Sequence, residues 1–393
     1  MALRRKLSRT VDWVRLPWAA KRASLIDMRG LPDRDPGPER AIDEAVLWLG
    51  RAQDNSPSAD GGVARHFSLI KGWGTSYPET TGYIVPTMLA YAEWRGDADA
   101  RARAKRMLDW LVAIQLPGGG FQGGRIDSTP VVPVTFNTGQ ILMGLAAGVT
   151  VFGDDYRTAM RAAADWLVET QDSDGCWRKH PTPFAEPGEK AYETHVAWGL
   201  LEAARLEPDR PYAERALANI RWALTWQRPN GWIERCCLTD PTQPLTHTLG
   251  YALRGILEGF RLAEDEDLLV AARRTADGLM SALRDDGSLP GRLYPDWRGA
   301  VDWACLTGIV QIAHSWLLLY ELGGEARYLE AAARANAYVR RTISIDGPPE
   351  IRGGVKGSFP IHGDYGSFEY LNWAPKFFID SQMLELRLRG RAS

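Results

Sequence analysis

The chain has 393 residues, of which 45% are hydrophobic, and carries a formal charge of -2. So even a balance, with no basic tract interleaved with exposed aromatic groups, leaves nucleic acid out as an expected partner. Four cysteines, adjacent only at Cys236 and Cys237, make neither the disulfide framework of a small secreted domain nor a recurring CxxC metal site, so reduced thiols, no metal and no cofactor are expected.

Residues 1–26 place Arg and Lys on both sides of short apolar pieces but lack the continuous apolar centre of a secretory signal. They are expected to form a basic arm lying in solvent, on the body of the protein, on a partner protein or weakly on a membrane surface, and the chain is expected in the cytoplasm or peripheral to the inner membrane surface. Residues 27–40 read as a linker rich in Pro, Gly and charge, 41–388 as a single domain and 389–393 as a tail. A first helix is predicted over 41–52. Charged, Ala-rich runs near 100–115, 155–171, 210–227, 266–283 and 326–341 suit helices with one face in water. Runs near 80–94, 138–149, 194–206, 247–261, 307–321 and 374–387 have fewer charges and more Gly, Leu, Ile and Val, as inner helices do.

The two sets repeat together. Trp48 and Gln53 recur at the same spacing as Trp110 and Gln115, Trp166 and Gln171, and Trp222 and Gln227. Turns follow at Gly61-Gly62, Gly118-Gly119-Gly120, Asp174-Gly175 and Asn230-Gly231, with Asp286-Gly287 and Asp346-Gly347 as weaker fifth and sixth members. Each of the first five inner runs then opens on a threonine motif: Tyr77-Pro-Glu-Thr-Thr-Gly-Tyr83, Phe136-Asn-Thr-Gly139, Tyr192-Glu-Thr-His195, Thr246-His-Thr-Leu249 and Leu306-Thr-Gly308. Six helical hairpins, each with an apolar face that its neighbours cover, predict an all-α fold closed into an (α/α)6 barrel or toroid.

The turns Gln171-Asp-Ser-Asp-Gly-Cys-Trp177 and Gln227-Arg-Pro-Asn-Gly-Trp232 resemble the Gln/Trp repeats of the terpenoid cyclase and prenyltransferase toroids, and the rhythm over 41–388 also resembles the (α/α)6-barrel carbohydrate enzymes. The first resemblance implies terpenoid cyclisation in an apolar cavity. The aspartate-rich acid motif of the squalene route, a diphosphate-binding Asp cluster and the zinc set of the protein prenyltransferases are not recognisable here.

The rims of the inner runs carry the chemistry. Trp73, Tyr77, Glu79 and Tyr83 surround the first, Asn137 and Gln140 the second, Tyr192, Glu193 and His195 the third, and His247 and Tyr251 the fourth. Asp302 and Trp303 precede the fifth. The polar insert before the sixth brings Lys356, His362, Asp364, Tyr365 and Trp373, and is expected to fold across the opening. Aromatic platforms beside amides and carboxylates suit the apolar faces and hydroxyl edges of sugars. A carbohydrate or polysaccharide is therefore the expected partner.

Glu79 and Glu193, both in Tyr/Glu/Thr settings, are the first candidate acid/base pair for a glycoside hydrolase, with Asp240, Asp302 and Asp364 as further carboxylates. A polysaccharide lyase would instead move protons through Tyr77, Tyr192, His195 or His247, with Asn137 and Gln140 as hydrogen-bonding groups. A non-catalytic glycan-binding or scaffold protein would use the same rim without reacting.

Overall fold

The computed structural model describes residues 13–183 and 185–392. A short helix, α1 (Trp18–Asp27), precedes an alternation of outer and inner helices. The outer helices are α2 (Pro38–Asp54), α4 (Ala98–Ala113), α6 (Arg157–Thr170), α8 (Tyr212–Leu224), α10 (Glu266–Ser281) and α12 (Ala326–Arg341). The inner helices are α3 (Pro78–Arg95), α5 (Thr135–Phe152), α7 (Thr194–Leu206), α9 (Thr246–Ala263), α11 (Leu306–Gly323) and α13 (Trp373–Ala392). Successive inner helices pack on one another and α13 returns to α3 and α2, so the ring closes. The all-α (α/α)6 barrel is the fold. Its small sheets, β1 (His66–Ser68) with β2 (Gly72–Trp73) and β5 (Glu369–Leu371), and β3 (Ala304–Cys305) with β4 (Ser358–Phe359), tie loops together at the N-terminal ends of the inner helices.

The two helix sets differ in burial as their composition requires. In α2 the buried residues Ala41, Ile42, Ala45, Val46, Trp48, Leu49 and Ala52 follow a helical period and leave the opposite face to water. In α5 the run from Thr135 to Ala146 is buried without a break, because both flanks meet other inner helices.

The Gln/Gly repeat staples the outer ring. Gln53, Gln115 and Gln171 donate from Nε2 to the carbonyls of Gly61, Gly119 and Gly175 in their own turns, at 2.8, 2.8 and 3.0 Å. Gln115, Gln171 and Gln227 donate again, at 2.9, 3.0 and 2.8 Å, to Ala159, Arg215 and Ala271 on the next outer helix. Removing one amide therefore breaks two bonds at once, one within the turn and one to the next helix. Gln171→Ala is expected to lose about 2 kcal/mol, visible as a lower urea midpoint at unchanged slope.

The recurring threonine is a second staple. Val63 N–H donates to Thr81 Oγ1 at 3.0 Å and Phe121 N–H to Thr138 Oγ1 at 2.9 Å, while those hydroxyls donate to Tyr77 O and Val134 O. In the first two repeats it fixes the loop to the start of its inner helix.

Three boundaries depart from expectation. The stretch read as a linker begins in a docked helix: Asp27 receives the Lys356 ammonium at 2.6 Å and the Ile361 N–H at 2.9 Å. The sixth turn is closed not by Gly347 but by Gly353, which abuts the Glu44 carbonyl of α2 and so joins the last repeat to the first. The final helix continues to Ala392 through the expected tail. Residues 1–12 of the basic arm lie outside the described residues.

Candidate active site

The N-terminal ends of the inner helices surround a cavity of about 460 Å³. The start of α3 contributes Tyr77, Glu79 and Tyr83, α5 contributes Phe136, and the turn before α7 contributes Tyr192. His247 and Tyr251 come from one face of α9, and Tyr365 and Trp373 come from the last insert. Arg65, His66 and Arg125 reach the cavity from the loops below the Gly61-Gly62 and Gly118–Gly120 turns.

The aromatic wall is interlocked. Tyr251 lies with its ring centre 4.3 Å from His195 and 4.4 Å from His247, and 5.2 Å from Phe136. Its hydroxyl is 3.4 Å from that of Tyr83, and Trp373 Nε1 donates to Tyr365 OH at 2.9 Å. Burial holds the phenols of Tyr77, Tyr83, Tyr192, Tyr251 and Tyr365 well above their ordinary range, so they act as neutral hydrogen-bonding groups.

Glu79 is the exception that titrates. Burial pushes its carboxyl up to about 7, against the opposing effects of a Tyr77 hydrogen bond and the Arg65 charge. Among the described residues that line the cavity it supplies the one carboxyl group. His247 is pulled by burial down to about 4 and is neutral at pH 7. Its Nδ1 lies 2.7 Å from Gln311 Oε1, an acceptor, so Nδ1 carries the proton and Nε2 keeps its lone pair. Arg65 is held by Glu369 at 3.1 Å and His66 Nδ1 at 2.7 Å, and its guanidinium lies 5.2 Å from the Trp373 ring centre. Arg125 adds a second cation beside Asp127.

Tyr77, Glu79, Tyr83, Tyr192, His247, Tyr251, Tyr365 and Trp373 are thus brought together. Glu193 is not. Its carboxyl is buried away from the cavity lining, with Oε2 lacking a protein hydrogen-bond partner, and burial pushes it up to about 8 against the Lys190 charge. The stapling threonine explains the separation. In the first three repeats the residue two places before it, Glu79, Phe136 or Tyr192, faces the cavity and the residue one place before it, Thr80, Asn137 or Glu193, does not; in the fourth, His247 directly before Thr248 faces the cavity instead. Glu79 and Glu193 therefore stand in different registers.

Gln140 and His195 form a buried pair behind the wall, Oε1 to Nδ1 at 2.6 Å, and with Asn137 they stay out of the lining. Trp73 is half-buried against Trp48 and Phe67. Asp302, Trp303, His362 and Asp364 line a separate cleft of about 1340 Å³ beside α1. Lys356 is consumed by its ion pair with Asp27 and lies over Phe359. Asp240 takes the Thr242 N–H and hydroxyl in an exposed turn. The insert therefore divides between the two cavities, with Tyr365 and Trp373 on one side and His362 and Asp364 on the other.

Sequence reasoning missed Arg65, His66, Phe136 and Arg125 as lining groups. A signal was present: within six positions after the turn glycine a basic residue recurs, as Arg65, Arg125, Arg178, Arg235, Arg292 and Lys356. Arg178 is taken by Asp172, Asp174 and Glu189, and Arg292 by the Gln243 carbonyl. Arg65 and Arg125 are the members that reach the cavity. Among the described residues no group of three His, Cys, Asp or Glu is placed to hold a metal ion.

No protein-family model matches the chain. The fold is similar to that of an unsaturated glucuronyl hydrolase specific for heparin, with a TM-score of 0.72 and 16% identity over 90% of this chain and 98% of that one. It is also similar to the unsaturated glucuronyl hydrolase of Bacillus sp. GL1, with a TM-score of 0.70, 17% identity and coverage of 90% and 97%. The cellobiose 2-epimerase of Spirochaeta thermophila has a TM-score of 0.69, 18% identity and coverage of 88% and 95%. At such identities these likenesses establish the architecture. In sequence, 207 residues, 51% of the chain, are 28% identical to a copalyl diphosphate synthase of Streptomyces cyslabdanicus and span 36% of that protein's length. Both resemblances read from the repeats, to carbohydrate-enzyme barrels and to terpenoid cyclases, thus have counterparts.

Proposed function

We propose that the chain is a carbohydrate-active enzyme working on an acidic saccharide by proton transfer, with elimination beside a uronate carboxylate as the reaction its cavity supports best. The supporting observation is one aromatic cavity that combines Glu79, half-protonated near neutrality, with the neutral imidazole of His247 and the cations Arg65 and Arg125. Arg65 meets the substrate carboxylate and draws charge from it, which acidifies the adjoining C–H bond. His247 Nε2 takes that proton, the C–H electrons form the new double bond, and the glycosidic C–O bond breaks as Glu79 protonates the leaving oxygen. A hydrolase using two carboxylates needs a second one roughly 5 to 9.5 Å across the bond, and Glu193 does not line the cavity.

The likeness to unsaturated glucuronyl hydrolases favours a second reading, in which Glu79 protonates an already unsaturated uronyl ring and water completes hydrolysis. Ultraviolet absorbance of the unsaturated uronate separates the two. It is expected to grow when saturated uronate oligosaccharides are eliminated, and to decay if a preformed unsaturated end is the substrate. Turnover of neutral sugars, or of isoprenoid diphosphates, with neither change on acidic ones, would overturn the acidic-saccharide reading.

A further inference from the structure

Helix α1 is tied to the barrel along one side. Asp27 holds Lys356 and the Ile361 N–H, Ser24 Oγ lies 2.9 Å from His362 Nδ1, and Ala20 is fully buried. The other side presents Trp18, Leu25 and Met28, which are 74%, 47% and 64% exposed, with Val14 just before it 69% exposed. Arg15, Arg22 and Arg29 stand exposed among them, and Arg4, Arg5, Lys6 and Arg9 precede them in the chain. The barrel does not explain this stripe, because the helix already uses a different face to dock. At ten residues α1 is about half the length that crosses a bilayer, roughly 20 residues.

We propose that α1, with the exposed Arg15, Arg22 and Arg29, forms a docking surface for an anionic lipid bilayer. Trp, Leu and Met enter the boundary between headgroups and acyl chains, while the guanidinium groups remain among the headgroup phosphates. The attraction is local, since the chain as a whole carries -2 and a membrane field decays within a Debye length. Met28 also lines the 1340 Å³ cleft with Trp13, Leu16, Val301 and Phe368, so the apolar stripe continues inward beneath the helix. The loop that walls this cleft through His362 and Asp364 puts Tyr365 into the 460 Å³ cavity. One loop thus links the docking helix to the cavity. Resting on the function proposed above, this points to a membrane-borne acidic saccharide as substrate.

Sedimentation of the full chain with phosphatidylcholine vesicles, with and without phosphatidylglycerol, tests the surface independently of turnover. Binding is expected to require the anionic lipid, to fall at high salt, and to drop about tenfold or more in the Trp18→Ser/Leu25→Ser/Met28→Ser variant. Should that variant fail to fold, Arg15→Glu/Arg22→Glu changes exposed side chains alone and is expected to lose the preference for anionic vesicles. Equal binding of the parent chain to both vesicle types, or anionic binding unchanged in the variants, overturns the proposal. So does a dimer in solution that the apolar substitutions dissolve while no vesicle binds, because the stripe would then serve a second copy of the chain.

Discussion

Glu79→Gln is expected to lower turnover about 10³-fold, within the range for loss of a positioned acid or base, and to leave the barrel folded. The amide keeps the shape of the carboxyl and can still accept from Tyr77, but it cannot deliver a proton to a leaving oxygen. The pH profile adds a readout that a structural role would not move. With Glu79 needed protonated and His247 needed neutral, kcat/KM is expected to be highest between about 4 and about 7. The loss above neutrality should vanish from the residual rate of Glu79→Gln. An unchanged alkaline limb in that variant would assign the titration to another group and remove Glu79 from the chemistry.

The same substitution carries a stability signature of known sign. Glu79 has a folded-state value of about 7 against an ordinary 4.5, so between those values the folded protein binds more proton than the unfolded chain. Stability therefore falls as pH rises through that window and is constant above it. Glu193, pushed up to about 8, acts in the same direction. Replacing Glu79 by the uncharged amide removes its part of the penalty. The variant should gain in melting temperature relative to the parent at pH 8 and show no such gain at pH 4.

How far the site could be read from sequence depends on which physics is local. The Trp/Gln/Gly repeat was legible because its bonds are short-range in sequence: Gln115 and Gln171 each bond a carbonyl four residues on. The ring followed, since the faces left over had to be covered by neighbours. The start of α3 was legible for the same reason, with Glu79 and Tyr83 one helical turn apart. Glu193 was misplaced because its setting looked like that of Glu79 while its offset from the threonine differs by one residue. One residue is about 100° around a helix, enough to exchange the cavity for the wall. The fork in the last insert, which sends Tyr365 and Asp364 into different cavities, depends on pairings such as Ala304 with Phe359 that no local pattern announces. Arg65 was hidden for a further reason. Its partner Glu369 lies more than 300 residues away, brought close when β1 pairs with β5.

Gly175→Ala is expected to damage the outer ring severely for the addition of one methyl group. The residue sits at φ +92°, in the left-handed region where an alanine carries roughly 1–2 kcal/mol of strain. An added Cβ would also lie 2.5 Å from the Ala218 carbonyl oxygen and 2.7 Å from its carbon. Those atoms belong to the backbone of α8, so no side-chain rotation relieves the contact and the helix itself must retreat. Retreat strains the bonds that meet there: Asn219 Nδ2 to Gly175 O at 2.9 Å, Gln171 Nε2 to the same carbonyl, and Gln171 Nε2 to Arg215 O on α8. Strain and displacement together should exceed about 4 kcal/mol, a large part of the 5–15 kcal/mol that holds a typical domain folded. A low yield of soluble protein and a strongly depressed urea midpoint are expected. Gly96→Ala is the matched control, because Gly96 is also left-handed, at φ +67°, and has nothing within 4 Å of its Cβ position. It should show the conformational cost alone, about 1 kcal/mol. Similar losses in the two variants would place the whole effect in backbone conformation and remove the close approach of turn and helix as the reason for glycine there.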